Sequence, residues 1–452
     1  MAVQIGKIYS ISIESLTHNA EGVGRVDGFT VFVPEAIPGD TVEVKVISKK
    51  KTYARALITG ITKASKDRVE PFCRYYSECG GCQLQHLDYK KQLLYKSQLV
   101  KEAFSRIAGI DVCVAPTIGM ENPHNYRNKS SLPISGEQGK IEMGFYKKRS
   151  HDVISIEECP IQLMSINEVM KISKRLINEL EIAPYCEHDH SGDLRHFVVR
   201  VAPNTGEVLL SLVSKNFNNK FNEFAVMIAD LVPSIKGVIL NVNDKKSNAI
   251  FGSENHLLCG NSSIVDEMLG LKFNISATSF YQINGEQTNK LYKTAIDKIN
   301  FKCNEVVIDA YSGTGTIGMI MSSAAKKVIG IEVVKAAVTD AVKSSGINRI
   351  DNISFIQGKV ENVIGNMTEI MDSSTVLVVD PPRKGCDIEF INAVGKSNIT
   401  KLLYISCNPS TLARDVKLLL KFGFMVKDSV QPVDMFPHTS HVECCCCLTR
   451  VK

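Results

Sequence analysis

Residues 402–415 read Leu-Leu-Tyr-Ile-Ser-Cys-Asn-Pro-Ser-Thr-Leu-Ala-Arg-Asp. The apolar run that ends at Ile405 predicts a buried strand, and the Pro-Ser-Thr triplet that begins at Pro409 is typical of a helix start. Cys407 is therefore expected in the turn at the carboxyl end of the strand, the edge where open α/β sheets place their chemistry. A lone cysteine is more often a structural thiol, but at this edge Cys407 becomes a candidate nucleophile.

Four more strands are predicted upstream of this stretch, and three of them end at or beside an acidic residue: Asp309, Glu332 and Asp380. Helical patterns separate the strands, which predicts a parallel α/β sheet whose carboxyl ends share one edge. The predicted strands cover residues 305–310, 327–331, 353–356 and 375–379. The convergence of these acids with Cys407 indicates a functional site at that edge.

A glycine-rich turn over residues 311–318 follows the first of these strands. Together with Glu332 it forms a dinucleotide-type fingerprint, which alone would suit NAD equally well. Two features favour S-adenosylmethionine instead. Asp309 would repel a pyrophosphate but suits a cationic methionine group, and Asp380 begins an Asp-Pro-Pro turn of the kind that closes methyl-transfer pockets. An NAD-dependent oxidoreductase is disfavoured further because no hydride-acceptor site is recognisable.

The N-terminal part, up to about residue 62, has the pattern of about five short strands separated by turns, with an Asp27-Gly28 hairpin signal. This pattern predicts a small closed barrel of the OB type, which often binds single-stranded RNA. The lysine-rich hairpin around residues 49–51 favours RNA over a purely structural barrel.

Cys73, Cys79 and Cys82 have the spacing C-x5-C-x2-C. Two residues between thiols allow both to reach one metal or one cluster edge. Cys159 is the best candidate for a fourth ligand, because the Cys-Pro pair is a familiar end to iron–sulfur ligation, and Cys113 is the fallback. The spacing leaves an iron–sulfur cluster, a zinc ion and unliganded cysteines open.

The middle of the chain predicts a helix over residues 89–107, a second helix over 165–180 and several strands, which together form a mixed α+β region. Arg127 and Lys129 lie at its beginning and are candidates for phosphate or uracil contacts. At the other end of the chain, Glu443 opens a last apolar strand that continues into residues 444–447, all cysteine. Successive strand residues alternate between faces, so these four cannot hold one metal and are interpreted as small hydrophobic residues.

Composition narrows the class of protein without identifying a partner. The 452 residues are 22% charged and 44% hydrophobic, with a net charge of only +5, which is typical of a soluble multidomain protein. Basic residues cluster locally, which suits phosphate contacts but is equally typical of a solvated surface. No apolar stretch approaches the length of a membrane span, so a cytoplasmic location is expected. Fourteen cysteines in a reducing compartment argue against a disulfide framework.

Four motifs together resemble one family, the RNA (uracil-5-)-methyltransferases that carry an N-terminal TRAM domain and an iron–sulfur cluster. The motifs lie at residues 309–318, 380–385, 404–415 and 437–443, and residues 21–40 resemble the TRAM domain itself. The pattern is most similar to Gram-positive enzymes that act on 23S ribosomal RNA. The transfer-RNA branch fits less well, because it usually lacks the barrel and the cluster.

This resemblance implies a three-part fold: an OB-like TRAM barrel over 1–62, an α+β domain with the cluster over 63–265, and a Rossmann-like class I S-adenosylmethionine-dependent methyltransferase domain over 266–452. It implies that Cys407 is the nucleophile and Glu443 the base. The S-adenosylmethionine contacts would be Gln282, Tyr311, Glu332 and Asp380, and the ligands of a 4Fe–4S cluster would be Cys73, Cys79, Cys82 and Cys159. The expected partner of the monomer is 23S rRNA, with tRNA methylation or a catalytically inactive RNA-binding protein as alternatives.

Overall fold

The first five strands close into a barrel in the computed structural model, which describes residues 3–302, 304–368 and 371–450; the outermost residues of the expected ranges 1–62 and 266–452 lie outside it. The strands pair in the order β1-β2-β3-β5-β4, and β4 returns to β1. Alternate residues such as Val42 and Val44 point into the barrel core and are fully buried. Asp27 and Gly28 both have positive φ in the predicted hairpin turn. The strands are β1 (Ile8–Leu16), β2 (Glu21–Val26), β3 (Phe29–Pro34), β4 (Thr41–Lys49) and β5 (Tyr53–Lys63).

The first long helix, α1 (Tyr89–Ala103), continues as a π-helical turn over Phe104–Ala108 and leads to the short strand β6 (Cys113–Val114). Val100 and Phe104 are buried in the core of the C-terminal half, and β6 pairs with the edge of its sheet. This stretch therefore packs with the C-terminal half, although it falls within the expected central range 63–265. The helical period predicts an apolar face but not which sheet covers it.

The central region forms a seven-stranded sheet in the order β13-β12-β11-β10-β7-β8-β9. One face packs against two helices around a core that includes Phe197 and Phe221, whereas Leu209 and Ile239 on the other face contact the C-terminal half. The elements are β7 (Lys129–Glu137), β8 (Lys140–Tyr146), β9 (Val153–Ser155), α2 (Met164–Glu179), β10 (Leu194–Val201), β11 (Val208–Ser214), α3 (Lys220–Leu231), β12 (Ile235–Val242) and β13 (Glu254–Gly260).

A hairpin and a helix connect this sheet to the C-terminal one: β14 (Ser263–Met268), β15 (Leu271–Ser276) and α4 (Gly285–Ile299). The expected boundary after residue 265 falls inside β14, and the core residues of the hairpin pack with the C-terminal half. Arg200 donates to the carbonyl of Ser279 at 2.7 Å, and Asn128 donates to the carbonyl of Gln282 at 2.9 Å. The central sheet thus positions the segment that leads into α4.

The C-terminal half contains the predicted parallel strands in the order β18-β17-β16-β19-β20, extended by the antiparallel strands β23 and β22 and then by β6. Its elements are β16 (Val306–Ala310), α5 (Thr316–Met321), β17 (Lys327–Glu332), α6 (Lys335–Ile347), β18 (Ile353–Gln357), α7 (Val360–Met367), β19 (Thr375–Val379), α8 (Ile388–Lys396), β20 (Lys401–Ser406), α9 (Pro409–Leu420), β21 (Phe424–Val426), β22 (Ser429–Val433) and β23 (Glu443–Arg450). A 3-10 turn over Ser322–Ala324 follows α5.

The four consecutive cysteines lie in β23 and are buried, as predicted. Cys444 and Cys446 belong to the core on one side of the sheet and Cys445 to the core on the other, so they act as alternating apolar residues. Within the described ranges, no helix has the length and apolar character needed to cross a membrane.

Candidate active site

Cys407 is held in a short turn between β20 and α9 by hydrogen bonds from its two neighbours. The Asn408 amide donates to Ser406 Oγ at 3.1 Å, and Asn408 Oδ1 accepts from the Ser410 amide at 3.0 Å, capping the helix. Pro409 occupies the first turn, where its missing N–H leaves no bond unmade. The strand-turn-helix predicted from residues 402–415 is therefore confirmed, and it fixes the backbone on both sides of the thiol.

Glu443 is brought opposite this turn by strand pairing. In the antiparallel ladder between β20 and β23, Ser406 pairs with Cys444. The next residues outward are Cys407 and Glu443, which therefore lie near each other at the edge of the sheet. The pairing explains how residues far apart in sequence share one site.

A cavity of about 1230 Å³ opens at this edge. Its lining includes all six residues that the sequence resemblance assigned to catalysis and to S-adenosylmethionine: Gln282, Tyr311, Glu332, Asp380, Cys407 and Glu443. The carboxyl ends of β16, β17, β19 and β20 contribute to its wall, as predicted for an open α/β sheet.

The carboxyl groups of Glu332 and Asp380 line this cavity, and the buried Asp309 lies near both of them. Asp309 Oδ2 accepts from the Gly318 amide at 2.9 Å, but its Oδ1 is buried without a partner among the described residues. Burial raises the pKa of Asp309 to about 7, and it raises that of Asp380 to about 7 as well. A cationic ligand would restore the ionised forms of both groups. A pyrophosphate would not, which favours a sulfonium ligand over NAD at this wall.

The glycine-rich turn has the backbone shape that close approach by a ligand requires. Tyr311 and Gly313 both have positive φ, 66° and 55°, and nothing lies within 4 Å of the place where a Cβ on Gly313 would stand. The Gly313 amide donates to one oxygen of Glu332 at 3.0 Å, and the Val334 amide donates to the other at 2.7 Å. Glu332 is thus fixed at the end of β17, where an acid can accept bonds from ribose hydroxyls.

The environment of Cys407 and Glu443 disfavours charge on both when no ligand is bound. Burial, then the nearby Glu443 and Asp380, raise the pKa of Cys407 to about 12. Burial, then Asp380, raise the pKa of Glu443 well above its usual range, while Arg383 acts in the opposite direction. Arg383 is exposed, and its carbonyl accepts from Asn408 Nδ2 at 3.2 Å, which ties the Asp-Pro-Pro turn to the nucleophile turn.

Phe280 and His441 also line the cavity, although neither was predicted to have a role there. Phe280 is 66% exposed, an unusual state for a large aromatic side chain. His441, which could have been an ordinary loop histidine, lines the cavity with Nε2 3.4 Å from Arg383. The alternation of polar and aromatic residues in 274–284 was the available signal for Phe280, and the motif at residues 437–443 was the available signal for His441. His438 does not line this cavity and is buried.

A second, smaller cavity of about 190 Å³ is lined by the four cysteines proposed as cluster ligands, Cys73, Cys79, Cys82 and Cys159. Cys113, the fallback ligand, instead lies exposed in β6. In the described part of the chain, no group of three or more His, Cys, Asp or Glu side chains has the geometry of a metal-ion site. The four thiols therefore surround a space rather than converge on one point.

Arg127 and Lys129 diverge although they are two residues apart. Arg127 lines the cysteine cavity, whereas the Nζ of Lys129 lies 5.5 Å from the centre of the Phe251 ring. Burial and the adjacent Arg200 lower the pKa of Lys129 to about 7. Neither residue is among those that line the catalytic cavity.

The chain is similar to known proteins over nearly its whole length. A family model described as tRNA (Uracil-5-)-methyltransferase matches residues 88–451, and one described as TRAM domain matches residues 2–59. An uncharacterized RNA methyltransferase of Clostridium tetani is 43% identical over 444 residues, which cover 98% of this chain and 96% of that protein. A second such protein, from Halalkalibacterium halodurans, is 42% identical over 438 residues, covering 96% and 95%.

A solved structure is also similar over nearly the whole chain. It is the Pyrococcus abyssi tRNA (uracil-54, C5)-methyltransferase in complex with S-adenosyl-L-homocysteine. The TM-score is 0.76 at 26% identity, and the match covers 98% of this chain and 100% of that one.

Proposed function

Because the chain belongs to the tRNA (uracil-5-)-methyltransferase family and carries a TRAM domain, we propose that Cys407 and Glu443 methylate C5 of a uridine through a covalent adduct. The protein is an S-adenosylmethionine-dependent RNA (uracil-5-)-methyltransferase with a class I catalytic fold. The observation that carries the proposal is the placement of a thiol and a carboxyl group across one strand pair, in a cavity whose other wall is acidic.

The first step activates the pyrimidine, because C5 of uracil is a poor nucleophile. The thiolate of Cys407 adds to C6, and the electrons of the C5=C6 bond move toward the C4 carbonyl oxygen to give an enolate. Since the ligand-free environment raises the pKa of Cys407 to about 12, a nearby positive charge must favour the thiolate. Arg383 lines the cavity, and its positive charge acts to lower the pKa of Cys407.

Gln282, Tyr311, Glu332 and Asp380 would hold S-adenosylmethionine, and the buried Asp309 lies near Asp380 and Glu332. When bound, S-adenosylmethionine supplies an electrophilic methyl group, so that the C5–CH3 bond forms as the bond from sulfur to methyl breaks. The acidic wall fits this cationic group, and the open space above Gly313 admits it.

The last step restores the aromatic ring. Glu443 takes the proton from C5, the C5=C6 double bond re-forms, and Cys407 leaves C6 as a thiolate. Burial beside Asp380 raises the pKa of Glu443 well above its usual range, which makes its carboxylate a stronger base than an exposed glutamate. A uridine in folded RNA must leave its stack to reach this cavity, and the exposed Phe280 offers an aromatic surface at the entrance.

We propose 23S rRNA as the substrate, on the basis of the combination of barrel, cysteine cluster and catalytic motifs. A tRNA substrate is the second candidate, and one observation favours it: the similar Pyrococcus abyssi enzyme, which the match covers completely, is described as a tRNA methyltransferase. Full-length coverage means that the presence of the barrel does not separate the two substrates. Incubating the protein with S-adenosylmethionine and either 23S rRNA or tRNA from a strain lacking it, then mapping 5-methyluridine, decides between them.

We also propose that Cys73, Cys79, Cys82 and Cys159 hold a 4Fe–4S cluster. The support is that all four residues line one cavity of about 190 Å³. A cluster spreads its thiolate ligands around a multi-iron core, which suits thiols that surround a space. Arg127 is the cationic side chain of that cavity and would offset the negative charge of four thiolates.

A further inference from the structure

The nine-residue connection between β22 and β23 carries Phe436 and His441 into the catalytic cavity and leads to Glu443, the first residue of β23. Its first half, residues 434–438, is bound by side chains from several distant elements. We propose that this 434–438 segment is a positioning device for Glu443, and that the buried ion pair between Lys96 and Asp434 is its central contact. The proposal rests on the role of Glu443 given above.

The ion pair joins α1 to the start of the segment. Lys96 Nζ lies 2.5 Å from Asp434 Oδ1, and both side chains are completely buried. Tyr89, also on α1, donates its hydroxyl to the other carboxylate oxygen at 2.9 Å. A buried pair of this kind contributes little net stability compared with apolar residues, but it fixes one geometry, because any other leaves a charge unpaired.

The carbonyl groups of the segment are held one after another. Lys96 Nζ also donates to the Phe436 carbonyl at 3.1 Å, and Tyr126 donates to the Pro437 carbonyl at 3.0 Å. The carbonyls of Asp434 and Met435 accept from two side chains of α4 and its N-cap, Gln287 and Asn284, at 3.0 and 3.1 Å.

His438 completes the series and connects the segment to the cysteine cavity. Its carbonyl accepts from the amides of Gln83 and Leu84, the two residues that follow Cys82, at 3.0 and 2.9 Å. Its amide donates to Gln92 Oε1 at 3.1 Å. The segment is therefore bound from α1, from α4 and from the cysteine-bearing loop at once.

Two hydrogen bonds connect this segment to the residues that lead to Glu443, the proposed base. Thr439 donates its hydroxyl to the Phe436 carbonyl at 2.8 Å, and the His441 amide donates to Thr439 Oγ1 at 3.3 Å. Glu443 follows two residues later, at the first position of β23. Displacing the segment would therefore shift Phe436, His441 and Glu443 together, while the S-adenosylmethionine wall on β16, β17 and β19 would stay in place.

The test uses the full chain, S-adenosylmethionine and total RNA from a strain lacking the protein. The double variant K96M/D434N removes both charges, so neither is left unpaired in the interior. We expect an unchanged affinity for S-adenosylmethionine by calorimetry, a kcat lowered about tenfold, and a larger steady-state fraction of covalent protein–RNA adduct on denaturing gels. The adduct accumulates because the final proton transfer slows, which a purely structural role would not produce.

Two further variants, each lacking a single tyrosine hydroxyl, test the proposal even if the double variant does not fold. Tyr126→Phe removes one donor to the segment, whereas Tyr95→Phe removes a comparable bond from α1 to the Thr17 carbonyl in the barrel, at 2.6 Å. Tyr126→Phe should raise the adduct fraction, and Tyr95→Phe should not. The inference is overturned if the two variants give equal adduct fractions, or if the K96M/D434N variant has the kcat and adduct fraction of the wild type. If Glu443→Gln traps an adduct while these variants do not, only the positioning role fails; if no variant traps one and Cys407→Ala stays active, the proposed function fails.

Discussion

Cys407 and Glu443 lie one residue beyond the paired Ser406 and Cys444 of the antiparallel strands β20 and β23, and the nearby Glu443 helps to raise the pKa of the Cys407 thiol. A parallel neighbour would have brought the end of a second strand to this edge. The antiparallel strand instead brings its beginning, so a carboxyl group from later in the chain lies at the same edge as the thiol. The chemistry of the site therefore depends on the register of one strand pair.

The thiol of Cys407 should be less reactive than its position in an open cavity suggests. Burial, with Glu443 and Asp380 nearby, raises its pKa to about 12, so the thiolate is scarce at pH 8 in the ligand-free protein. We expect iodoacetamide to modify the exposed Cys113 and Cys186 faster than Cys407. Peptide mass spectrometry after timed alkylation measures this, and preferential labelling of Cys407 would contradict it.

Asp309→Asn should stabilise the ligand-free protein at pH 8. Burial raises the pKa of Asp309 to about 7, above its value in the unfolded chain, so the folded state keeps a proton that the unfolded state has lost. Its contribution to stability is present at low pH and is lost as the pH rises through 7. We expect a gain on the order of 2 kcal/mol in the free energy of unfolding at pH 8, and less at pH 5.

Thermal unfolding of the ligand-free protein at both pH values checks this prediction. Asp351→Asn is the matched control, because Asp351 is an exposed carboxylate in the same half of the chain. The same Asp309 variant should bind S-adenosylmethionine more weakly, since the cationic ligand loses a carboxylate. An Asp309→Asn variant that unfolds at a lower temperature than the wild type at pH 8 would contradict the prediction, because it would show that the Asp309 carboxylate is stabilised in the folded protein.

The cysteines of β23 should behave as apolar core residues. Cys446 is fully buried, so Cys446→Val should cost less than about 1.5 kcal/mol, whereas Cys446→Ser places a hydroxyl in an apolar core and should cost about 1–3 kcal/mol. Cys113→Ser is the exposed control. Denaturant unfolding of the three variants measures these free-energy differences. Equal losses of stability for Cys446→Ser and Cys446→Val would contradict the burial of Cys446 in an apolar core.

Much of this fold follows from local patterns in the sequence. The barrel hairpin at Asp27-Gly28, the helix of residues 165–180 and the five parallel strands were all predicted, because each depends on a turn signal or an apolar period within a few residues. The site edge was predictable for the same reason: acids and a thiol follow apolar runs at the ends of strands.

Features that depend on contacts between distant segments were not predictable. The helix at 89–107 was expected in the central region, but its apolar face covers the C-terminal sheet, and the helical period does not specify its partner. The hairpin β14–β15 has no strong turn signal and was missed. The burial of Lys96 against Asp434 has no signature in the local sequence of either residue, because it depends on tertiary packing.

If the four cysteines hold an iron–sulfur cluster, the protein should absorb visible light. Protein purified without oxygen should absorb near about 400 nm through iron–sulfur charge transfer, and Cys159→Ser should lose most of that absorbance together with bound iron. Cys113→Ser is the matched control, because Cys113 lies outside the cavity. If the two variants lose absorbance equally, or if the wild type contains zinc alone, the cluster assignment is wrong.

The central claim is that Cys407 forms a temporary bond to the pyrimidine and that Glu443 is needed to break it. Glu443→Gln, incubated with S-adenosylmethionine and RNA from a strain lacking the protein, should yield a complex that survives denaturation and contains methylated RNA. The Cys407→Ala/Glu443→Gln double variant should yield none. A Glu443→Gln protein that turns over normally without accumulating this complex, or a complex that persists without Cys407, would contradict the account.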